Sequence, residues 1–221
     1  VAGYSFDWDR RNDRARATRG FNLNIRQDLA GLGGEVHYLR TEFQGGIYYG
    51  LPWGFRASFH GDAGYIFGWN GDDIRINDRF FKGGTSFRGF DVAGVGPRQL
   101  LVDDATGDIV RRGDAVGGNM FAIGSLQLDV PLPLPSSFGL GSALFVDFGT
   151  VGIVDRASRS TIDLGTQSLI VADDRTLRAA AGVSVFWDSP FGPVQFDFSQ
   201  PLAYEPYDHL QQFRFSTRTS F

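Results

Sequence analysis

The chain has 221 residues and a formal charge of −4, a balance that speaks against a non-specific hold on nucleic acid. It has no cysteine, which excludes disulfides and thiolate metal sites. Its 21 phenylalanines and 30 glycines against one methionine suit a sheet protein with tight turns and interfacial aromatic rings better than a helical one.

Period-two alternation begins at once: Tyr4, Phe6 and Trp8 alternate with Ser5, Asp7 and Asp9. Phe21, Leu23 and Ile25 follow, set against Asn22, Asn24 and Arg26, and a less regular run extends from about Val36 to Tyr49. Phe55, Ala57, Phe59, Ala63, Tyr65, Phe67 and Trp69 share the next face, opposite Arg56, Ser58, His60 and Asp62. After a long polar connection, Leu126, Leu128 and Val130 oppose Ser125, Gln127 and Asp129. Leu144, Val146 and Phe148 oppose Ala143, Phe145 and Asp147. Ala179, Ala181, Val183, Val185 and Trp187 oppose Arg178, Gly182, Ser184 and Asp188. Val194, Phe196 and Phe198 oppose Gln195, Asp197 and Ser199, and the chain closes on Phe213, Phe215, Thr217, Thr219 and Phe221.

This pattern predicts an all-β chain of roughly nine strands of about ten residues, the length a tilted strand needs to cross a bilayer. No run of about 18 apolar residues exists, so a spanning helix is excluded. A mean hydropathy of −0.15 is no obstacle to a barrel, whose lipid face is hidden by alternation. A β-sandwich has the same strand pattern. The connections favour an antiparallel transmembrane barrel, because they sort into two kinds. Short turns lie at Leu51–Gly54, Pro131–Ser137 and Asp188–Pro193; long polar loops run from about Asn70 to Gly118 and from about Asp155 to Thr176. Closed single-chain bacterial barrels carry an even number of strands, and lipid does not tolerate open edges. Further strands are therefore expected before Val1, and the chain is read as a fragment.

The most distinctive segment lies in the first long loop: Arg79-Phe80-Phe81-Lys82-Gly83-Gly84-Thr85-Ser86-Phe87-Arg88-Gly89-Phe90, then Gly94-Val95-Gly96-Pro97-Arg98. Gly84 and Gly89 have the spacing of a phosphate-binding loop, but Phe90 replaces its lysine, so no nucleotide site follows. His37, His60 and His209 are scattered, which argues against a metal site or histidine-based catalysis. The acidic run Asp103–Asp108 reads as a solvated turn. No Ser-His-Asp arrangement can be assembled, so neither catalytic residues nor a cofactor is expected.

The Phe-Arg-Gly-Phe core and the trailing Gly-Val-Gly-Pro-Arg resemble the signature loop of the BamA family, the bacterial factors that fold other β-barrels into the outer membrane. Arg11-Asn12-Asp13 with Ala17-Thr18-Arg19-Gly20, Gly113–Asn119 and Trp187–Pro193 resemble further family segments in the same order. The resemblance implies that residues 1–221 are the C-terminal part of a barrel of about sixteen strands, preceded by further strands and periplasmic POTRA domains. It implies that the loop of about 70–118 folds back into the lumen, where Gly83, Gly84, Phe87, Arg88, Gly89, Phe90, Gly96 and Pro97 form its motif. Arg88 is then expected to meet Asp147 on the inner wall. Where relatives often carry a second acid the chain has Gln127, and Asp129, on the same face, is the candidate to compensate. Phe213, Phe215 and Phe221 resemble the family's terminal-strand signal. The implied function is non-enzymatic insertion of client barrels through a lateral seam, with client barrels, accessory lipoproteins and outer-membrane lipid as partners. A polypeptide-secreting transporter of the same superfamily is the alternative, which the number of upstream POTRA domains would separate; a passive pore or an outer-membrane hydrolase fits less well.

Overall fold

A computed structural model describes every residue except 15, 32, 34–35, 136–137, 156–160, 191 and 218–221. In chain order its strands are β1 (Ala2–Asp9), β2 (Arg19–Ala30), β3 (Tyr38–Gly50), β4 (Arg56–Gly68), β5 (Gly89–Phe90), β6 (Arg98–Asp103), β7 (Ile109–Ala115) and β8 (Met120–Val130). There follow β9 (Leu140–Gly152), β10 (Ile162–Asp163), β11 (Gln167–Ala172), β12 (Arg178–Ser189), β13 (Gly192–Ala203), β14 (Leu210–Gln211) and β15 (Phe213–Thr217). The only helical elements among the described residues are single 3-10 turns, such as Gly84–Ser86.

Nine strands form one antiparallel sheet in the order β1-β2-β3-β4-β8-β9-β12-β13-β15. The expected all-β order of neighbours holds, and the sheet is open, with β1 and β15 at its edges. Its faces are inverted relative to a water-soluble sheet. Phe59, Phe67, Leu126, Leu144, Val146, Val183, Phe198 and Phe215 are exposed on one side, while Ser58, Asp147, Ser184, Asp197 and Ser199 are buried on the other. A row of exposed apolar side chains of this extent is unfavourable in water and favourable against hydrocarbon. The polar face is buried because the loop between β4 and β8 lies over it. That cover supplies a small apolar core, in which Phe80, Phe87, Phe90 and Val95 meet Ile66, Phe121, Ile123 and Val151.

The two long connections are more structured than their polar sequences suggest. β6 and β7 from the first pair with β11 and β10 from the second, in the order β10-β11-β6-β7. Leu100 lies opposite Ile170 and Leu101 opposite Leu169, a pairing that becomes legible only once the partner is known, since these strands are six residues in length. β5 pairs with β14, tying the first loop to the turn before the last strand.

Candidate functional site: an arginine clamped to the inner wall

The loop returns to the sheet at Phe87–Phe90. Phe87 and Phe90 are both fully buried and meet edge to face, with ring centroids 4.8 Å apart. Between them, Gly89 has φ +90°, and a Cβ there would come 2.6 Å from the Ala180 side chain on β12. Only glycine allows both the backbone angle and that approach. Gly96 has φ +106°, a Cβ there would come 2.9 Å from the Val151 side chain on β9, and Pro97 beside it is fully buried. Gly83 and Gly84 form the turn ahead of the clamp, where a Cβ on Gly84 would come 3.4 Å from the Arg214 guanidinium.

This packing delivers Arg88 to the polar face. Its Nε donates to Asp147 Oδ2 at 2.8 Å and its Nη2 to Asp147 Oδ1 at 2.7 Å. The Arg88 backbone N–H donates to the same carboxylate at 3.1 Å. The remaining guanidinium hydrogens go to Ser125 Oγ at 2.9 Å, Ser184 Oγ at 3.2 Å and Gln127 Oε1 at 3.3 Å. All five guanidinium N–H groups are thus used, and the guanidinium carbon lies 3.6 Å from the centre of the Phe145 ring. The four acceptors come from β8, β9 and β12, so one side chain pins the loop to three neighbouring strands. Arg88 is 8% and Asp147 3% exposed, so the pair is shielded from water and from salt screening.

Asp129 does not meet Arg88. Its carboxylate accepts instead from Arg56 across the β4–β8 pair and from Gln127 Nε2 at 2.8 Å. It lies two residues beyond Gln127 on the same face and is taken by its cross-strand neighbour. A second acid at the same remove is Asp197, 1% exposed, which accepts a hydrogen bond from Ser184 as Asp129 does from Gln127. Asp197 is therefore one hydroxyl removed from Arg88. Strand alternation places it on the right face, but only the β12–β13 register puts it opposite Ser184. Phe213 and Phe215 lie on the outer face against Phe198 and Phe196, at 5.2 and 5.4 Å between ring centroids. Phe221 lies outside the described residues.

A second buried arginine was not legible in sequence. Arg178, at the start of β12, is 0% exposed and donates through Nε to Asp208 Oδ2 at 3.0 Å. Its Nη1 donates to the carbonyls of Asp174 and Thr176, and its Nη2 to the Tyr207 hydroxyl and Asp208 Oδ1. Burial pushes the Tyr207 phenol up to about 12, so it keeps its proton and donates to Asp174 Oδ2 at 3.2 Å. The pair spans thirty residues with no motif around either member.

An antiparallel wall with an apolar outer face, carrying an inner loop clamped by one arginine, defines a class of membrane β-barrel with a loop folded against its inner wall. The chain belongs to the Omp85 superfamily, whose domain model matches residues 2–221. It is 31% identical over 210 residues to the outer membrane protein assembly factor BamA of Neorickettsia risticii, covering 91% of this chain and 24% of that protein. With BamA of Neisseria meningitidis serogroup B it shares 28% over 217 residues, 92% of this chain and 26% of the relative. The human sorting and assembly machinery component 50 homolog is 33% identical over 145 residues, 63% of this chain and 28% of its own length. The chain thus spans about a quarter of the length of these relatives. The crystal structure of BamA from Haemophilus ducreyi lacking POTRA domains 1–3 superposes with a TM-score of 0.78 at 23% identity. That match covers 96% of this chain and 41% of the other, and it shows the fold.

Proposed function

We propose that residues 1–221 are the C-terminal part of the barrel of an outer-membrane assembly factor, which in the whole protein follows further strands and POTRA domains. It folds client β-barrels into the bacterial outer membrane through a seam at its last strand, without enzymatic chemistry or a cofactor. The observation that carries this reading is the position of β15, the last strand, at an edge of the open sheet. Among the described residues, β15 pairs with the twelve-residue β13 over Val194–Phe198. An unpaired backbone group in hydrocarbon costs several kcal/mol. A sheet edge that parts easily can exchange its ladder for that of an incoming strand, the mode of recognition known as strand addition. Arg88 and Asp147 serve this reading by holding the loop against β8, β9 and β12, which keeps the wall rigid up to the seam. Clients, lipid and accessory lipoproteins are its partners.

The test uses the full-length protein in phosphatidylcholine vesicles with an unfolded client barrel, followed by the altered gel mobility of folded barrels. Phe196→Cys with Phe215→Cys places a disulfide across the β13–β15 pair. Client folding should be faster with the protein than without, abolished by the disulfide and restored by reductant. Clients recovered in the vesicle interior instead of the bilayer would favour secretion, and an inert disulfide would refute the seam.

A further inference from the structure

The outer half of the last strand is held by the loop instead of the wall. Ser199 N–H donates to the Gln212 carbonyl at 2.7 Å. In an extended strand the next donor on that side is two residues on, at Pro201, which has no N–H. On the β13 side the ladder therefore has no donor with which to continue. The chain leading into β15 crosses to the loop, with Leu210 opposite Phe90 and Gln211 opposite Gly89. Asp91 N–H donates to the His209 carbonyl at 2.8 Å, and His209 N–H to that of Gly94 at 3.0 Å. Immediately before this splint stands Asp208, held by Arg178.

We infer that Arg178 and Asp208 are positioning residues for the seam strand: their buried ion pair sets the turn from which residues 209–212 leave the wall and join the Arg88 loop. Arg178 uses all five of its guanidinium N–H groups, two on the carbonyls of Asp174 and Thr176, so it is anchored independently of the turn. Asp208 Oδ2 also accepts from Glu205 N–H at 2.7 Å, which folds the turn onto the same carboxylate. Losing the Asp208 charge leaves a guanidinium with 0% exposure facing a neutral amide. The turn then loosens, and residues 209–212 lose their alignment with Gly89 and Phe90. The consequence for client folding rests on the assembly reading above; the positioning itself does not.

The test is hydrogen exchange on the full-length protein in lipid nanodiscs. Asp208→Asn should speed exchange of residues 209–217 at least tenfold and leave β8, β9 and β12 unchanged. Tyr207→Phe, a milder change that removes one acceptor of Arg178 and one donor to Asp174, should raise exchange of the same segment severalfold. A disulfide between Asp91→Cys and His209→Cys, which lie opposite each other where the β5–β14 pairing extends, should restore slow exchange in the Asp208→Asn background. Unchanged exchange of 209–217, an equal rise across the wall strands, or no rescue by the disulfide would each overturn the inference. Client folding is measured on the same variants. Local loosening without any change in client folding would uphold the positioning and count against the seam reading alone.

Discussion

Replacing Asp147 by asparagine removes one charge and almost no volume, so it isolates the electrostatic part of the loop's attachment. Asp147 accepts three hydrogen bonds from Arg88, two from the guanidinium and one from the backbone, with both residues nearly water-free. Asparagine keeps one oxygen and turns the other acceptor into a donor, which then faces an N–H of Arg88. Breaking a buried ion pair by removing one partner costs about 3–5 kcal/mol. The low end applies here, because Asp197 lies one hydroxyl away through Ser184 and Gln127, Ser125 and Ser184 remain as acceptors. About 3 kcal/mol is on the order of a hundredfold in the equilibrium for loop release. Hydrogen exchange of the full-length protein in bilayers should therefore quicken by about two orders of magnitude over residues 87–91, provided that release is local. Arg88→Gln should produce a similar change. The double variant should be little worse than either alone, because both remove the same pair. Strictly additive effects, or a change of less than about tenfold, would show that Phe87 and Phe90 hold the loop without the ion pair.

Three further outcomes follow from named contacts. Gly89→Ala places a Cβ 2.6 Å from Ala180 at φ +90°, so it should weaken loop docking by about 2–3 kcal/mol; Ala180→Gly should recover part of this loss, as read by protease sensitivity of the loop. Burial, with Arg98 next in effect, lowers the His209 pKa below its usual 6.5. Its neutral form is favoured when the turn is docked, so stability is present above about pH 6.5 and is lost as pH falls towards the lower, docked value. Exchange of residues 209–211, corrected for its intrinsic pH dependence, should rise through that window, and His209→Gln should abolish the rise. Finally, cysteines at Leu126, Leu144, Val146 and Phe215 should react with a lipid-phase probe, while cysteines at Gln127, Ser184 and Asp197 should not; the reverse pattern would mean that the faces are exchanged.

The wall was legible in the sequence because a side-chain period of two is a local property that survives whatever lies beside the strand. Leu126, Leu144, Val146 and Phe198 could be assigned to the outer face, and Asp147 to the inner, without knowing any partner. The short turns then dictated the neighbours β3-β4, β8-β9 and β12-β13. The loop motif was conspicuous by its residue types, and Arg88 and Asp147 were named from its resemblance to a family. What the tertiary structure alone decided are relations across the chain. Asp129, the candidate second acid, pairs directly with Arg56 and reaches Arg88 only through Gln127, while Asp197 reaches Arg88 through Ser184, because register determines which residues on a shared face are opposite. The four-stranded sheet of β10, β11, β6 and β7 joins two loops about sixty residues apart, and no alternation within either names the other. Arg178 and Asp208 have ordinary neighbours in sequence; they become a buried pair because the chain folds both against β12 and shuts out water there.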